Sequence, residues 1–251
     1  MFGEPGVRAV EQVLHGLRER LAADFCVVNG ENAYEGRGIR AAEAERLLAA
    51  GADVLTLGNW TLGQRAFRRY LADAERVLRP ANLASETPGR GLGVYAAADG
   101  TPVAVLNVLG QFSLEPAANP FAVVDELVDR ARAEAHVIVV DVHAEATSEK
   151  VALARWLDGR VTAVIGTHTH VQTADARVLP GGTAAITDVG MSGPHDSVIG
   201  VRPELAIARL RGERGVRLRP AEGGVRVEGL VVDCDGDGRA TACEALRIAL
   251  D

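Results

Sequence analysis

Two imidazoles one residue apart, in Gly166-Thr167-His168-Thr169-His170, are the residues of this chain best suited to hold a metal ion. Neutral imidazole is the commonest metal ligand and suits Zn, Fe, Cu and Ni. The pair follows Val161 to Ile165, an apolar run that reads as a buried strand. Both histidines therefore fall at or just past a strand end, where loops carry chemistry on a rigid scaffold. Alone, a His-x-His pair is a weak signal. Its weight comes from three further places where the same arrangement recurs. Val137 to Val142, an apolar run interrupted by Asp141, delivers His143 and then Glu145. Asp53 to Leu57 delivers Gly58-Asn59-Trp60, and Phe25 to Val28 delivers Asn29-Gly30-Glu31-Asn32.

The elements that must position these residues follow from periodicity. Ala42 to Gly51 and Phe121 to Ala135 carry apolar residues at three- and four-residue spacing, which predicts helices. Gly63 to Leu78, with Phe67, Tyr70, Leu71 and Val77, reads as a further amphipathic helix. Strands alternating with helices imply parallel βαβ units, whose strands end on one crevice. Glu31, Asn59, His143, His168 and His170 are thus expected to meet in space although they span about 140 residues. Arg79 to Asn82 and Thr87 to Gly91 are turn-rich loops, and residues 212–251 read as strands and turns completing a second sheet.

Five strings carry a resemblance: Asn29 to Asn32, Leu57-Gly58-Asn59, Val142 to Lys150, Ile165 to Thr173 and Thr187-Asp188-Val189-Gly190-Met191. In this order and density they resemble a bacterial calcineurin-like metallophosphoesterase family, whose characterised members are similar to 2′,3′-cyclic-nucleotide 2′-phosphodiesterases. The likeness runs from residue 2 to at least residue 201. It implies an α/β fold, a four-layer α/β/β/α sandwich, around a dinuclear centre of Fe, Mn or Zn. Carried over, Glu31 resembles the carboxylate that bridges two metals, and Asn59, His143 and His168 the remaining ligands of one. His170 resembles a ligand of the other, which the family completes with an Asp ending its first strand. Two cations about 3.5–4 Å apart lower the pKa of a bridging water and clamp both oxygens of an in-line displacement. A carboxylate can bridge because it has two oxygens, and neutral imidazoles fill sites without overcharging them.

The sequence departs from the family pattern twice. It opens at Met1-Phe2-Gly3-Glu4-Pro5-Gly6, which in the family follows the first strand and its Gly-Asp, so that strand is expected to be missing. A chain with Lys150 as its only lysine suggests a GC-rich gene, and the expectation is a misassigned start: a GTG codon just after the Asp, read as Met1. Second, the family follows Gly-Asn with a His that acts near the leaving group, and here Trp60 stands in its place. Indole donates a hydrogen bond but cannot give up its proton at useful pH. The resemblance therefore implies a slowed phosphodiesterase acting on a small phosphodiester or cyclic nucleotide. The alternative is a non-catalytic metal- or nucleotide-binding relative with a degraded dinuclear site.

Other features read more plainly. His15 lies on an Arg-rich helix, His136 opens a strand, and His195 sits in a Gly-Pro loop. Asp141, Glu145, Asp188 and Asp196 are candidates to orient ligand histidines or to cap chain ends. Asp233 to Gly238 with Glu244 satisfies the calcium-loop template of an EF-hand. The alternating Val225 to Val232 before it is strand-like, so a β-hairpin is the expectation.

Bulk properties fit a cytoplasmic globular protein. At 251 residues and 47% hydrophobic content one domain, residues 1–251, is expected. No apolar run reaches the roughly 18–20 residues of a membrane span, and no basic-then-apolar leader opens the chain. Cys26, Cys234 and Cys243 are odd in number and scattered, which reads as reduced thiols. A net charge of −7 argues against coating duplex nucleic acid. The Arg-dense stretches Arg65 to Arg69 and Arg209 to Arg219 read as solvated faces, with guidance of an anionic substrate as the alternative, and a homo-oligomer is compatible with the sequence.

Overall fold

The computed structural model describes residues 1–250 except 113, 115 and 116. Strand β1 (Val27–Asn29) lies parallel to β2 (Val54–Thr56), and β2 parallel to β3 (Val77–Leu78). A second sheet contains β4 (Leu92–Ala96), β5 (Pro102–Leu109), β6 (Val137–His143), β7 (Ala163–Thr167), β8 (Arg177–Val178) and β9 (Ala184–Ile186), in the order β4-β5-β6-β7-β9-β8. Its β5, β6, β7 and β9 are parallel, while β4 and β8 pair antiparallel at the edges. A third, antiparallel sheet joins β10 (Gly193–Pro194), β11 (Val225–Cys234) and β12 (Ala240–Ala249).

Six helices cover these sheets among the described residues: α1 (Gly3–Leu21), α2 (Ala41–Ala49), α3 (Phe67–Asp73), α4 (Pro120–Arg132), α5 (Thr147–Trp156) and α6 (Pro203–Leu210). The start of α4 is written in its sequence. Asn119 accepts a hydrogen bond from the Phe121 N–H at 2.9 Å, and Pro120 brings a pre-set φ to the first turn. Val124, Val128 and Ala131 then form the apolar stripe that α4 buries with Leu106, Val108, Ile138 and Val140 of the sheet. Truncating a fully buried residue here, such as Leu106 to Ala, costs about 2–5 kcal/mol. On the other side α1, α2 and α3 bury Val7, Val10, Leu14, Leu47, Phe67 and Leu71 with Leu55, Leu57 and Val227. Val54 and Leu78 share a third cluster with Val103 and Val105, joining the first sheet to the second.

The parallel α/β organisation is the one the periodicity predicts, with two corrections. The helix expected over Gly63 to Leu78 is confined to Phe67–Asp73. Before it, a turn closes from the Gly63 N–H to the Trp60 carbonyl at 2.8 Å. Beyond it, the chain extends at Ala74 and pairs Val77 with Leu55, so ladder pairing overrides the helical pattern. The C-terminal strands β11 and β12, expected to complete a second sheet, instead form a separate three-stranded sheet with β10. Their connection is the expected hairpin. Asp235 Oδ1 accepts from the N–H groups of Asp237 and Arg239, at 3.0 and 2.9 Å, which spends the turn's carboxylate on its own backbone.

Candidate metal centre

The carboxyl ends of β1, β2, β6 and β7 come together, and the predicted ligands sit just beyond them. Asn59 Oδ1 and His143 Nε2 are 3.0 Å apart, His168 Nδ1 and His143 Nε2 3.0 Å, and Glu31 Oε2 and His143 Nε2 3.2 Å. Four of the five predicted residues therefore converge on one point. Gly58 makes that possible, because a Cβ at this position would collide with Glu31 Oε2 and the His143 ring.

Proton bookkeeping decides what this cluster can hold. Thr167 Oγ1 donates to Asp141 Oδ1 at 2.7 Å, so it must accept from His143 Nδ1, 3.0 Å away. That assigns the His143 proton to Nδ1 and leaves Nε2 bare. His168 Nε2 faces Glu145 Oε2 at 3.0 Å, which places its proton there and leaves Nδ1 bare. Glu31 Oε1 accepts the Trp60 N–H, while Oε2 is buried with no hydrogen-bond partner among the described residues. Asn59 Oδ1 is an acceptor as well. Two imidazole nitrogens, a carboxylate oxygen and an amide oxygen thus point lone pairs at each other. Such a donor set fits a divalent cation. Among the described residues no group of three or more His, Cys, Asp or Glu side chains is placed to hold a metal ion by itself; the proposed set includes the amide of Asn59.

Electrostatics agree. Burial drives the His143 imidazole well below its ordinary pKa of 6.5, and burial also lowers His168, so both are neutral in the form that binds metal. Burial pushes the Glu31 carboxyl up to about 8, against the Trp60 N–H that lowers it. A carboxylate so placed gains strongly from a neighbouring cation.

His170 does not join this group. Its Nδ1 donates to the Ile199 carbonyl at 2.9 Å, leaving Nε2 bare, and that nitrogen faces Asn32 Oδ1 at 3.2 Å. Asn32 is held in this orientation by donating from Nδ2 to the Gly36 carbonyl at 2.8 Å. His170, lowered to about 4 by burial, and Asn32 therefore form a second lone-pair pair beside the first. Asn32 is a site residue that the sequence does not single out; its only local signal is its place next to Glu31.

Two supports hold the loop that carries both histidines. His168 and His170 adopt positive φ values of 104° and 65°, unusual outside glycine. Thr169 between them is pinned by Asp188 Oδ2, which accepts its N–H at 2.9 Å and its hydroxyl at 2.7 Å. The same oxygen takes Lys150 Nζ at 2.9 Å, both side chains being almost wholly buried. Asp141 likewise accepts from Thr56 Oγ1 at 2.5 Å and Asn29 Nδ2 at 2.9 Å. Asp141, Glu145 and Asp188 are thus orienting groups. Asp196 is not: it packs against the Gly223–Gly224 turn. His195 is held at Nδ1 by the Gly193 carbonyl, and His15 pairs with Glu19 on the exposed face of α1.

Fold and cluster together define a mixed α/β protein that gathers imidazole, carboxylate and amide ligands at the carboxyl ends of its strands. The chain belongs to the YmdB-like protein family, whose profile matches residues 1–246. It is 43% identical over all of its 251 residues to the 2′,3′-cyclic-nucleotide 2′-phosphodiesterase of Bacillus subtilis (strain 168), covering 94% of that protein. Among solved structures it is similar to a hypothetical protein of Thermus thermophilus, at 39% identity and TM-score 0.91, over 99% of this chain and 96% of that one. It is also similar to a novel phosphatase of Mycoplasma pneumoniae, at 34% identity and TM-score 0.91, over 99% and 90%. The family resemblance and the α/β fold that the motifs imply are borne out.

Proposed function

We propose that this protein is a metal-dependent phosphodiesterase acting on 2′,3′-cyclic nucleotides, with a rate limited by Trp60. The observation that carries the reading is the convergence of four ligand atoms, from Glu31, Asn59, His143 and His168, in a chain whose relatives include a named cyclic-nucleotide phosphodiesterase. These four residues would hold one divalent cation, Fe, Mn or Zn, and His170 with Asn32 would help to hold a second. Divalent cations in such a site polarise phosphoryl oxygens and lower the pKa of water.

The chain's own residues set the rest. Thr167 and Glu145 fix the tautomers of His143 and His168, and Asp188 keeps the loop between the histidines in its strained form. The Trp60 N–H holds Glu31, but its indole has no proton to give a leaving oxygen. Leaving-group protonation then falls to solvent, and general-acid help worth about 10²–10⁴-fold is forgone.

The test is hydrolysis of 2′,3′-cyclic AMP by protein loaded with Mn²⁺, compared with an Asn59→Ala, His143→Ala double variant. Slow turnover in the parent that vanishes in the variant is the expected result. Metal binding without turnover above the variant favours the non-catalytic alternative, for which Trp60 is the motivating observation.

A further inference from the structure

We propose that Arg37, laid against the face of the Trp60 indole, forms an anion-binding subsite that takes phosphoryl oxygens of the substrate beside the metal centre; this rests on the phosphodiesterase reading of that centre. The guanidinium carbon of Arg37 lies 4.1 Å from the Trp60 ring centroid. A guanidinium seated over a ring needs none of its five N–H donors for that contact, so they can serve a bidentate oxyanion. Arg37 is exposed, and no carboxylate among the described residues pairs with it. Arg40, three residues on, shows the contrast. It stacks on Tyr34 at 3.4 Å but is also paired with Glu43 at 3.1 Å, so its donors are engaged within the fold.

The placement of Arg37 is built into the chain. Its N–H donates to the Tyr34 carbonyl at 2.8 Å, and its own carbonyl accepts from Gln64 Nε2 at 2.9 Å. Gly38 follows at φ +73°, where a Cβ would stand 3.1 Å from the Trp60 carbonyl, so the close approach of the two segments favours glycine. Trp60 in turn is tied by its backbone N–H to Glu31 and directly follows Asn59, which sets its backbone at the edge of the ligand cluster. A cation held at that edge meets the field a phosphodiester monoanion needs. It also gives Trp60 work that an indole can do: orienting a guanidinium by its π face.

The experiment uses Mn²⁺-loaded protein in a Trp156→Phe background, so that fluorescence reports Trp60 alone. Inorganic phosphate is titrated first, and 2′,3′-cyclic AMP kinetics are measured in parallel. Arg37→Gln is expected to weaken phosphate binding and raise KM about 10- to 100-fold, with Mn²⁺ stoichiometry unchanged, and Arg37→Lys to recover only part of the loss. Phosphate affinity in Arg37→Gln equal to that of the parent overturns the proposal. So does cyclic-nucleotide hydrolysis with an unchanged KM, which would leave the phosphodiesterase reading standing. Conversely, Arg37-dependent phosphate binding in a protein that never hydrolyses the nucleotide would sustain the anion subsite and remove the phosphodiesterase.

Discussion

An indole N–H gives up its proton only far outside the usable pH range, so Trp60 cannot protonate a leaving oxygen in the way an imidazole can. Trp60→His should therefore raise kcat for 2′,3′-cyclic AMP, by up to about 10²-fold once the lost Arg37 platform is counted against the gain. No gain in steady-state kinetics would mean that something other than this residue limits the rate. Ile199 poses a different question at the same scale. Val198 and Val201 exchange both backbone hydrogen bonds around Ile199 and Gly200, at φ 47° and 102°. A two-residue turn of that kind favours Asn-Gly, and a β-branched residue there is strained. The strained carbonyl is the one that holds His170 Nδ1. Ile199→Asn should accordingly stabilise the chain by about 1 kcal/mol in a thermal melt. An unchanged or lower midpoint would show that the turn carries no strain.

Among the elements, the β7-to-histidine loop is stabilised by a buried ion pair rather than by its own propensity. Removing Lys150 leaves the buried Asp188 charge without its cation, with only the Thr169 and Gly190 hydrogen bonds, which costs about 3–5 kcal/mol. Asp188→Asn keeps the shape but loses the charge that draws in Lys150 and Thr169. It should release the positive-φ histidines and weaken Mn²⁺ affinity, read by calorimetry, by more than the melting midpoint would suggest. Equal affinity in Asp188→Asn would mean the loop holds itself. This scale also shows what a sequence can carry. The strands ending at Asn29, Thr56, His143 and Thr167 are legible because buried parallel strands are apolar throughout, and each is followed by ligand-type residues. Helix α3 is overextended in the sequence because Val77 and Leu78 fit a helical stripe as well as a strand, and only pairing with β2 separates the two. Asn32, Arg37 and Ile199 are not legible as site residues. Their roles arise from contacts with residues 138, 23 and 29 positions away, which no local pattern records.

For the whole molecule, the proposed metal centre is a protonation equilibrium. Burial holds the Glu31 carboxyl up to about 8, so in metal-free protein below that pH a cation must displace its proton. The histidines bind no proton above 6.5, their ordinary pKa, because burial only lowers them further. Between pH 6.5 and 8, then, Mn²⁺ affinity should rise with pH as about one proton is released per ion bound, and level off above 8. Calorimetry in buffers of different ionisation enthalpy reads that proton directly; release of none would show that Glu31 is already ionised. The same bookkeeping separates the two halves of the centre. Glu31, Asn59, His143 and His168 form one set, while His170 and Asn32 form a sparser one.

The central claim is that the converging Glu31, Asn59, His143 and His168 side chains are a cation site, and metal content per chain measures it most directly. Protein purified without chelators or a His-tag should retain at least one Fe, Mn or Zn ion per chain by elemental mass spectrometry, lost in an Asn59→Ala, His143→Ala double variant. Parent protein that carries no such ion, and takes none up from Mn²⁺-containing buffer, would contradict the metal centre and with it the proposed hydrolysis.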